Sequence, residues 1–154
     1  MKKFLAFLLP TLLCFLVGWV SAWIQTDALE EWYPYLVKSP VSPPAILFPI
    51  VWSALYIIIG ISAGLVIATP SEQWHTTLLL WFIQLLLNFL WSFFFFALRS
   101  PLLALIDILL LLIVISLYAI SASKISKGAA WLFVPYLCWV MFATYLNGYI
   151  LIYN

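Results

Sequence analysis

Apolar residues fall into five long blocks along this chain, covering residues 4–23, 45–68, 77–98, 102–122 and 129–153. A membrane-spanning helix needs about 20 apolar residues, because each adds about 1.5 Å against a roughly 30 Å hydrocarbon core. Every block meets that length. Transmembrane strands would be about ten residues long with alternating polarity, and no such alternation occurs. Lipid offers backbone groups no hydrogen bonds, so spans of this length are helices. The polar breaks are short: Thr69-Pro70-Ser71-Glu72, Arg99-Ser100-Pro101 and Ser123-Lys124-Ile125-Ser126-Lys127-Gly128. Pro101 suits the first turn of a helix. Short breaks make sequence neighbours antiparallel. The pattern predicts an all-α integral membrane protein, a single five-transmembrane-helix bundle over residues 1–154.

One connection is different. Residues 25–44 hold Asp27, Glu30 and Glu31, which are three of the five acids. They also hold Trp32, Tyr33, Tyr35, Pro34, Pro40, Pro43 and Pro44. Long loops in compact domains are functional or disordered, and proline with aromatics favours a packed lid over a solvated linker. At the other end of the first block, Met1-Lys2-Lys3 followed by residues 4–20 and Val20-Ser21-Ala22 imitates a secretory signal. Its apolar run exceeds the usual 7–15 residues and leads into a membrane-embedded chain, so it is expected to stay as the first helix.

Composition strengthens this picture. Charged residues are 7% of the chain and apolar ones 68%, whereas a soluble domain carries about 25% charged residues. Net charge is +1 with no basic stretch beyond Lys2-Lys3, which gives nucleic-acid binding no basis. Cys14 and Cys138 lie in apolar blocks with no CxxC or Cys/His cluster, so neither a disulfide framework nor a metal site is expected. His75 stands alone and reads as an interfacial polar residue. Lys2, Lys3, Lys124 and Lys127 fall on one side and Lys38 and Arg99 on the other. The positive-inside rule then places the N-terminus in the cytoplasm and the long loop outside.

Aromatics make up 19% of the chain, nine of them Trp. In the third block Trp81, Gln84, Asn88 and Trp91 follow at spacings of three, four and three, a single helical face. Intramembrane polar groups face the bundle interior, as site residues or as interhelical hydrogen-bonding glue. Pro49, Trp52 and Tyr56 share a face of the second block. The fifth carries Trp131, Pro135, Trp139 and Phe142, then Asn147. Trp81 and Trp131 lie near helix ends, where an interfacial aromatic belt accounts for them. Trp52, Trp91 and Trp139 sit deeper and suit a cavity for a flat, apolar ligand with a few polar atoms.

Asp107 is the one acid within a block, either a functional carboxylate or one bonded to a neighbouring helix. Gly60-xxx-Gly64-xxx-Ala68 is a small-residue run that serves helix approach within the bundle or in a dimer. No nucleophile–base pair, phosphate loop or zinc-protease signature appears, so hydrolytic and phosphoryl chemistry have no support.

These residues resemble the tryptophan-rich sensory protein family, also called translocator proteins, over almost the full chain. Trp32-Tyr33, Leu36, Lys38, Pro43-Pro44, Phe48-Pro49, Val51-Trp52 and Leu55-Tyr56 look like its first-loop and second-helix signature. Gln84-Leu85, Leu87-Asn88 and Trp91-Ser92 resemble its third-helix motif, and Ala104-Leu105 with Asp107 its fourth. Pro135-Tyr136-Leu137, Trp139, Phe142-Ala143-Thr144 and Leu146-Asn147 resemble its fifth. The resemblance implies a five-helix bundle, commonly a homodimer, in a bacterial cell membrane, with a pocket opening toward the first loop. It implies ligands such as porphyrins, cholesterol-like lipids, isoquinoline carboxamides and benzodiazepines. The matching pocket positions are Tyr33, Pro43, Trp52, Asn88, Trp91 and Trp139. Trp52 and Trp139 match tryptophans implicated in light-dependent porphyrin breakdown. The family's C-terminal cholesterol-recognition stretch pairs Tyr with Lys or Arg. Here Tyr149-Ile150-Leu151-Ile152-Tyr153-Asn154 has no basic residue, which speaks against cholesterol.

The resulting expectation is a receptor-like protein for protoporphyrin IX, with no resident cofactor, acting in tetrapyrrole or photo-oxidative stress. The porphyrin stacks on Trp52 and Trp139, Asn88 anchors it, and Tyr33 with Pro43 closes the lid. Two alternatives stand beside it: an enzyme that degrades porphyrin with light and oxygen, and a transporter of porphyrin or lipid. Few intramembrane charges and no evident inverted repeat argue against an energy-coupled carrier.

Overall fold

The computed structural model describes residues 2–154, so Met1 of the signal-like stretch lies outside the described residues. The helices are α1 (Lys2–Ile24), α2 (Thr26–Glu31), α3 (Leu47–Ala68), α4 (Trp74–Ser92), α5 (Pro101–Ser123) and α6 (Lys127–Tyr153). All but α2 are long and apolar enough to cross a membrane. Each exposes bulky apolar side chains, such as Leu79, Phe82 and Leu86 on α4 and Leu109, Leu110 and Ile113 on α5. Such an outer face is stable in lipid and unfavourable in water.

The five long helices form a closed ring, running α1, α3, α6, α5, α4 and back to α1. The α1–α3 contact depends on missing side chains. A Cβ on Gly60 would collide with Thr11, and one on Gly64 would run into the Phe7 ring. Gly60 and Gly64 are buried, while Ala68 is exposed. The small-residue run therefore seats α1 inside the bundle, which decides between the two uses its sequence allowed.

The half of the bundle remote from the 25–44 connection is solidly packed. Tyr118 and Phe133 lie 4.1 Å apart between ring centres, both fully buried. Ser62 Oγ donates to the Ala129 carbonyl at 2.8 Å, so its 2.8 Å bond to Tyr118 is one it accepts. Thr77 and Ser121 are bonded through their hydroxyls at 2.6 Å. Trp81 belongs here too. It is 1% exposed, and its indole N–H donates to the Ile59 carbonyl at 3.1 Å. It is a core residue, against the interfacial position expected from sequence. The cause is a helix start at Trp74 rather than 77, which moves Trp81 a turn deeper. Trp131, 71% exposed, does lie on the outer surface.

Helix α4 does not run evenly to its end. Phe93–Ala97 form one π-helical turn, in which the Leu98 amide reaches back five residues to the Phe93 carbonyl at 3.0 Å. The chain then reverses within three residues. Arg99 takes a left-handed backbone, φ 48°. Ser100 is extended, as a residue before proline prefers, and caps α5 through its hydroxyl. The wide turn buries Phe95 and Phe96 under the 25–44 segment.

That segment holds more regular structure than a loop: α2, then a 3-10 turn at Tyr33–Tyr35. Ala28 on α2 is buried, and the rings of Trp32 and Tyr33 meet Phe95 edge-on at 5.5 and 6.3 Å. Its far end is held by the end of α6. Asn154 accepts from the Val37 amide at 2.8 Å and donates to the Val37 carbonyl at 3.2 Å. Ser39 and Tyr145 are bonded at 3.1 Å. Arg99 pairs with Glu31 at 2.8 Å, both exposed.

Candidate functional site

Beneath this lid the bundle is hollow. A cavity of about 650 Å³ lies between the second half of α1, the first half of α3, the end of α4 and the second half of α6. Its volume falls within the few hundred to a thousand Å³ typical of small-molecule sites. It forms because the helices are held apart by large rings, the opposite of the glycine contact between α1 and α3. Trp52 and Tyr56 come from α3, one turn apart, with ring centres 5.6 Å apart. Trp139 comes from α6 and meets Phe48 edge-on at 5.9 Å and Phe142 at 5.8 Å. Trp91 from α4 stacks on Phe95 at 5.2 Å, so the π-helical turn supports one wall.

A chain of polar groups forms the inner end. Tyr56 donates to the Asn88 amide oxygen at 3.2 Å. Asn88 donates to Tyr136 at 3.2 Å, and Tyr136 donates to Gln84 at 3.0 Å. Three helices are joined through this chain. A primary amide has two donors and two acceptor lone pairs. Asn88 thus keeps one of each while lining the cavity. Gln84 is fully buried and does not line it, so it serves as interhelical glue. Trp139 Nε1 is buried with no hydrogen-bond partner, and so is Ser21 Oγ. Both residues line the cavity.

The lid supplies the roof. Leu29, Tyr33, Lys38, Ser42 and Pro43 all line the cavity. The Lys38 ammonium sits 4.8 Å from the Tyr33 ring centre. Burial raises the Tyr33 phenol above its ordinary pKa, so it remains a neutral donor at physiological pH.

Tyr33, Pro43, Trp52, Asn88, Trp91 and Trp139, singled out from sequence, all line this one cavity. Asp107 is not among its lining residues. It is 3% exposed, and its Oδ2 has no partner. Three features were not read from sequence. Asn147 fixes Trp91 by accepting its indole N–H at 3.0 Å. Tyr136 links the two amides of α4. Lys38 is the charged side chain in the lining. Asn147 carried a signal, a lone amide in an apolar block. Nothing in the sequence pairs it with Trp91, 56 residues away.

Fold and site together define a five-span membrane bundle with an aromatic cavity under a structured extramembrane lid. Residues 10–153 match the model of the TspO/MBR family. The chain is 41% identical to the tryptophan-rich protein TspO of Chlorobaculum tepidum, across 99% of this chain and 98% of that protein. It is 37% identical to the protein of the same name in Archaeoglobus fulgidus, across 90% of each. It is 33% identical to the translocator protein of Bos taurus, across 89% of this chain and 83% of that one. The chain belongs to the TspO/MBR family, and it is an integral membrane protein.

Proposed function

We propose that this chain is a receptor-like membrane protein for porphyrins, with protoporphyrin IX as the ligand to test, acting in tetrapyrrole or photo-oxidative stress. The observation that carries the reading is the cavity wall. Trp52, Trp91 and Trp139 come from three helices and surround about 650 Å³. Large aromatic faces bind a flat conjugated ring through stacking and burial. Asn88, with an uncommitted donor and acceptor, is the polar anchor, and Tyr33 with Pro43 covers the entrance. In this reading the N-terminus faces the cytoplasm of a bacterial cell membrane, and two copies associate as a homodimer.

Light- and oxygen-dependent porphyrin breakdown is the second reading. What favours it is that Trp52 and Trp139 both face the cavity, the latter with an indole N–H that no protein group uses. Titration of detergent-purified protein with protoporphyrin IX in the dark, followed by tryptophan emission, tests the first reading. Saturable quenching is expected. Unchanged emission together with no retention in equilibrium dialysis would refute it. Illuminating the complex with and without oxygen then tests the second reading by whether porphyrin absorbance is lost.

A further inference from the structure

Two hollows share one side chain. On the outer surface between α3 and α6 lies an open groove of about 690 Å³, as large as the cavity itself. Apolar side chains line it together with Cys138, among them Ala54 of α3 and Pro135 of α6. Ala54 and Cys138 are exposed on spanning helices, so the groove faces lipid. Trp139 lines the groove and the cavity alike, and its half-buried indole is the partition between them. This indole is held differently from those of Trp81 and Trp91. The Trp81 N–H donates to the Ile59 carbonyl at 3.1 Å, and the Trp91 N–H to Asn147 at 3.0 Å. The Trp139 N–H is buried and has no partner among the described residues. Phe48 and Phe142 meet its ring at 5.9 and 5.8 Å between centres, contacts that fix an orientation less tightly than a hydrogen bond does. One turn earlier, Pro135 has no amide, so the Trp131 carbonyl lacks its helical donor and α6 is weakened beneath Trp139.

We infer that Trp139 is a side gate: when its indole swings aside, the cavity joins the groove, and a flat apolar ligand passes edge-on between α3 and α6 from the bilayer. The swing breaks no hydrogen bond, whereas moving Trp91 breaks one. The chemistry of the ligand sets the route. A large apolar ring partitions from water into lipid, so it meets the groove at far higher concentration than it meets the lid. The lid, clamped by Asn154, then closes the water-facing end and is not the door. The gate deepens the porphyrin reading by naming the route to its site, and rests on that reading for the ligand's identity alone.

A gate alters the barrier to binding and not the bound state, so blocking the groove should change rates and leave affinity alone. Protoporphyrin IX is added in the dark to the protein in lipid nanodiscs, and tryptophan quenching is followed in time. Pyrene, smaller and uncharged, is the second probe. Two blocked forms are compared with the wild type. Ala54→Phe puts a ring into the groove from an exposed position. N-Phenylmaleimide on the unaltered chain reaches exposed Cys138 and spares buried Cys14. Each block should slow association and dissociation together by about tenfold, equivalent to about 1.4 kcal/mol added to the barrier, with the dissociation constant unchanged. Asn154→Ala, which loosens the lid, should leave both rates as they are. Unaltered rates in both blocked forms overturn the gate while leaving porphyrin binding standing, and faster exchange in Asn154→Ala would then assign entry to the lid. An affinity loss carried by dissociation alone overturns it too, because a block that merely distorts the cavity acts in that way. If porphyrin does not bind but pyrene exchange slows in both blocked forms, the porphyrin reading fails and the gate holds. If neither probe binds, both are overturned.

Discussion

The Trp91 indole donates to the Asn147 amide oxygen at 3.0 Å, and the same amide donates to the Pro101 carbonyl at 2.8 Å. One side chain of α6 thereby fixes a cavity wall on α4 and satisfies a carbonyl in the first turn of α5. Trp91 is held from its other side by Phe95, which the π-helical turn directs inward. The wall is rigid because two unrelated contacts agree on one indole orientation.

Asn147→Leu keeps the volume and removes both bonds. Thermal unfolding in detergent should show a loss of about 1 kcal/mol, since the half-buried Trp91 indole N–H loses its acceptor and the Pro101 carbonyl loses a donor. Combined with Trp91→Phe, the double mutant should be more stable than the sum of the single effects by about 0.6 kcal/mol, the usual size of an interhelical hydrogen bond in a membrane protein. Strict additivity would show that the two residues do not communicate.

Gly60→Val places a branched side chain where Thr11 of α1 stands. The expected result is a large drop in unfolding temperature, with α1 displaced from α3. Cross-linking should show no dissociation of any oligomer that precedes the loss of fold. A stable, well-folded variant that differs only in its association state would assign the glycine run to an intermolecular contact instead.

The spans were legible because lipid imposes a simple length rule on apolar residues, and the cavity-lining tryptophans because their spacing puts them on single helix faces. Trp81 is placed too near the membrane surface by the sequence because Trp74-His75-Thr76 reads as loop, whereas these residues open the first turn of α4. Thr77 explains this, since its hydroxyl bonds the Gln73 carbonyl and Ser121, which lets a polar residue sit buried there. The π-helical turn was invisible, because Phe93-Phe94-Phe95-Phe96 carries no glycine or proline to mark it. The Asn154–Val37 clamp joins residues 117 apart and has no local signature.

That clamp gives a further prediction. Asn154→Ala removes two hydrogen bonds to the Val37 backbone and one to the Ile150 carbonyl. Amide hydrogen exchange over residues 33–42 should accelerate, with little change in the spanning helices. Glu31→Ala should do much less, because its partner Arg99 is exposed and such pairs contribute about 0–1 kcal/mol. Equal effects from the two variants would mean that charge rather than the α6 terminus holds the lid.

Trp52→Phe and Trp139→Phe separate binding from breakdown. Each keeps an aromatic wall and removes the readily oxidised indole. Both variants are expected to retain porphyrin with losses of a few-fold. Under light and oxygen, a slowed loss of porphyrin absorbance in the variants would support the enzyme reading. Equal bleaching rates for wild type, variants and a porphyrin-only control would remove it.

If the cavity beneath the lid is the porphyrin site, a side chain that fills it should displace the ligand. Ala143 lines the cavity from α6 and is only partly buried, so Ala143→Trp projects an indole into space already present. Equilibrium dialysis against protoporphyrin IX in the dark, with unfolding temperature measured in parallel, should give saturable binding for the wild type. For a variant that remains folded it should give affinity at least tenfold weaker. Undiminished binding in the folded, filled variant would place the porphyrin elsewhere on the protein and contradict the assignment.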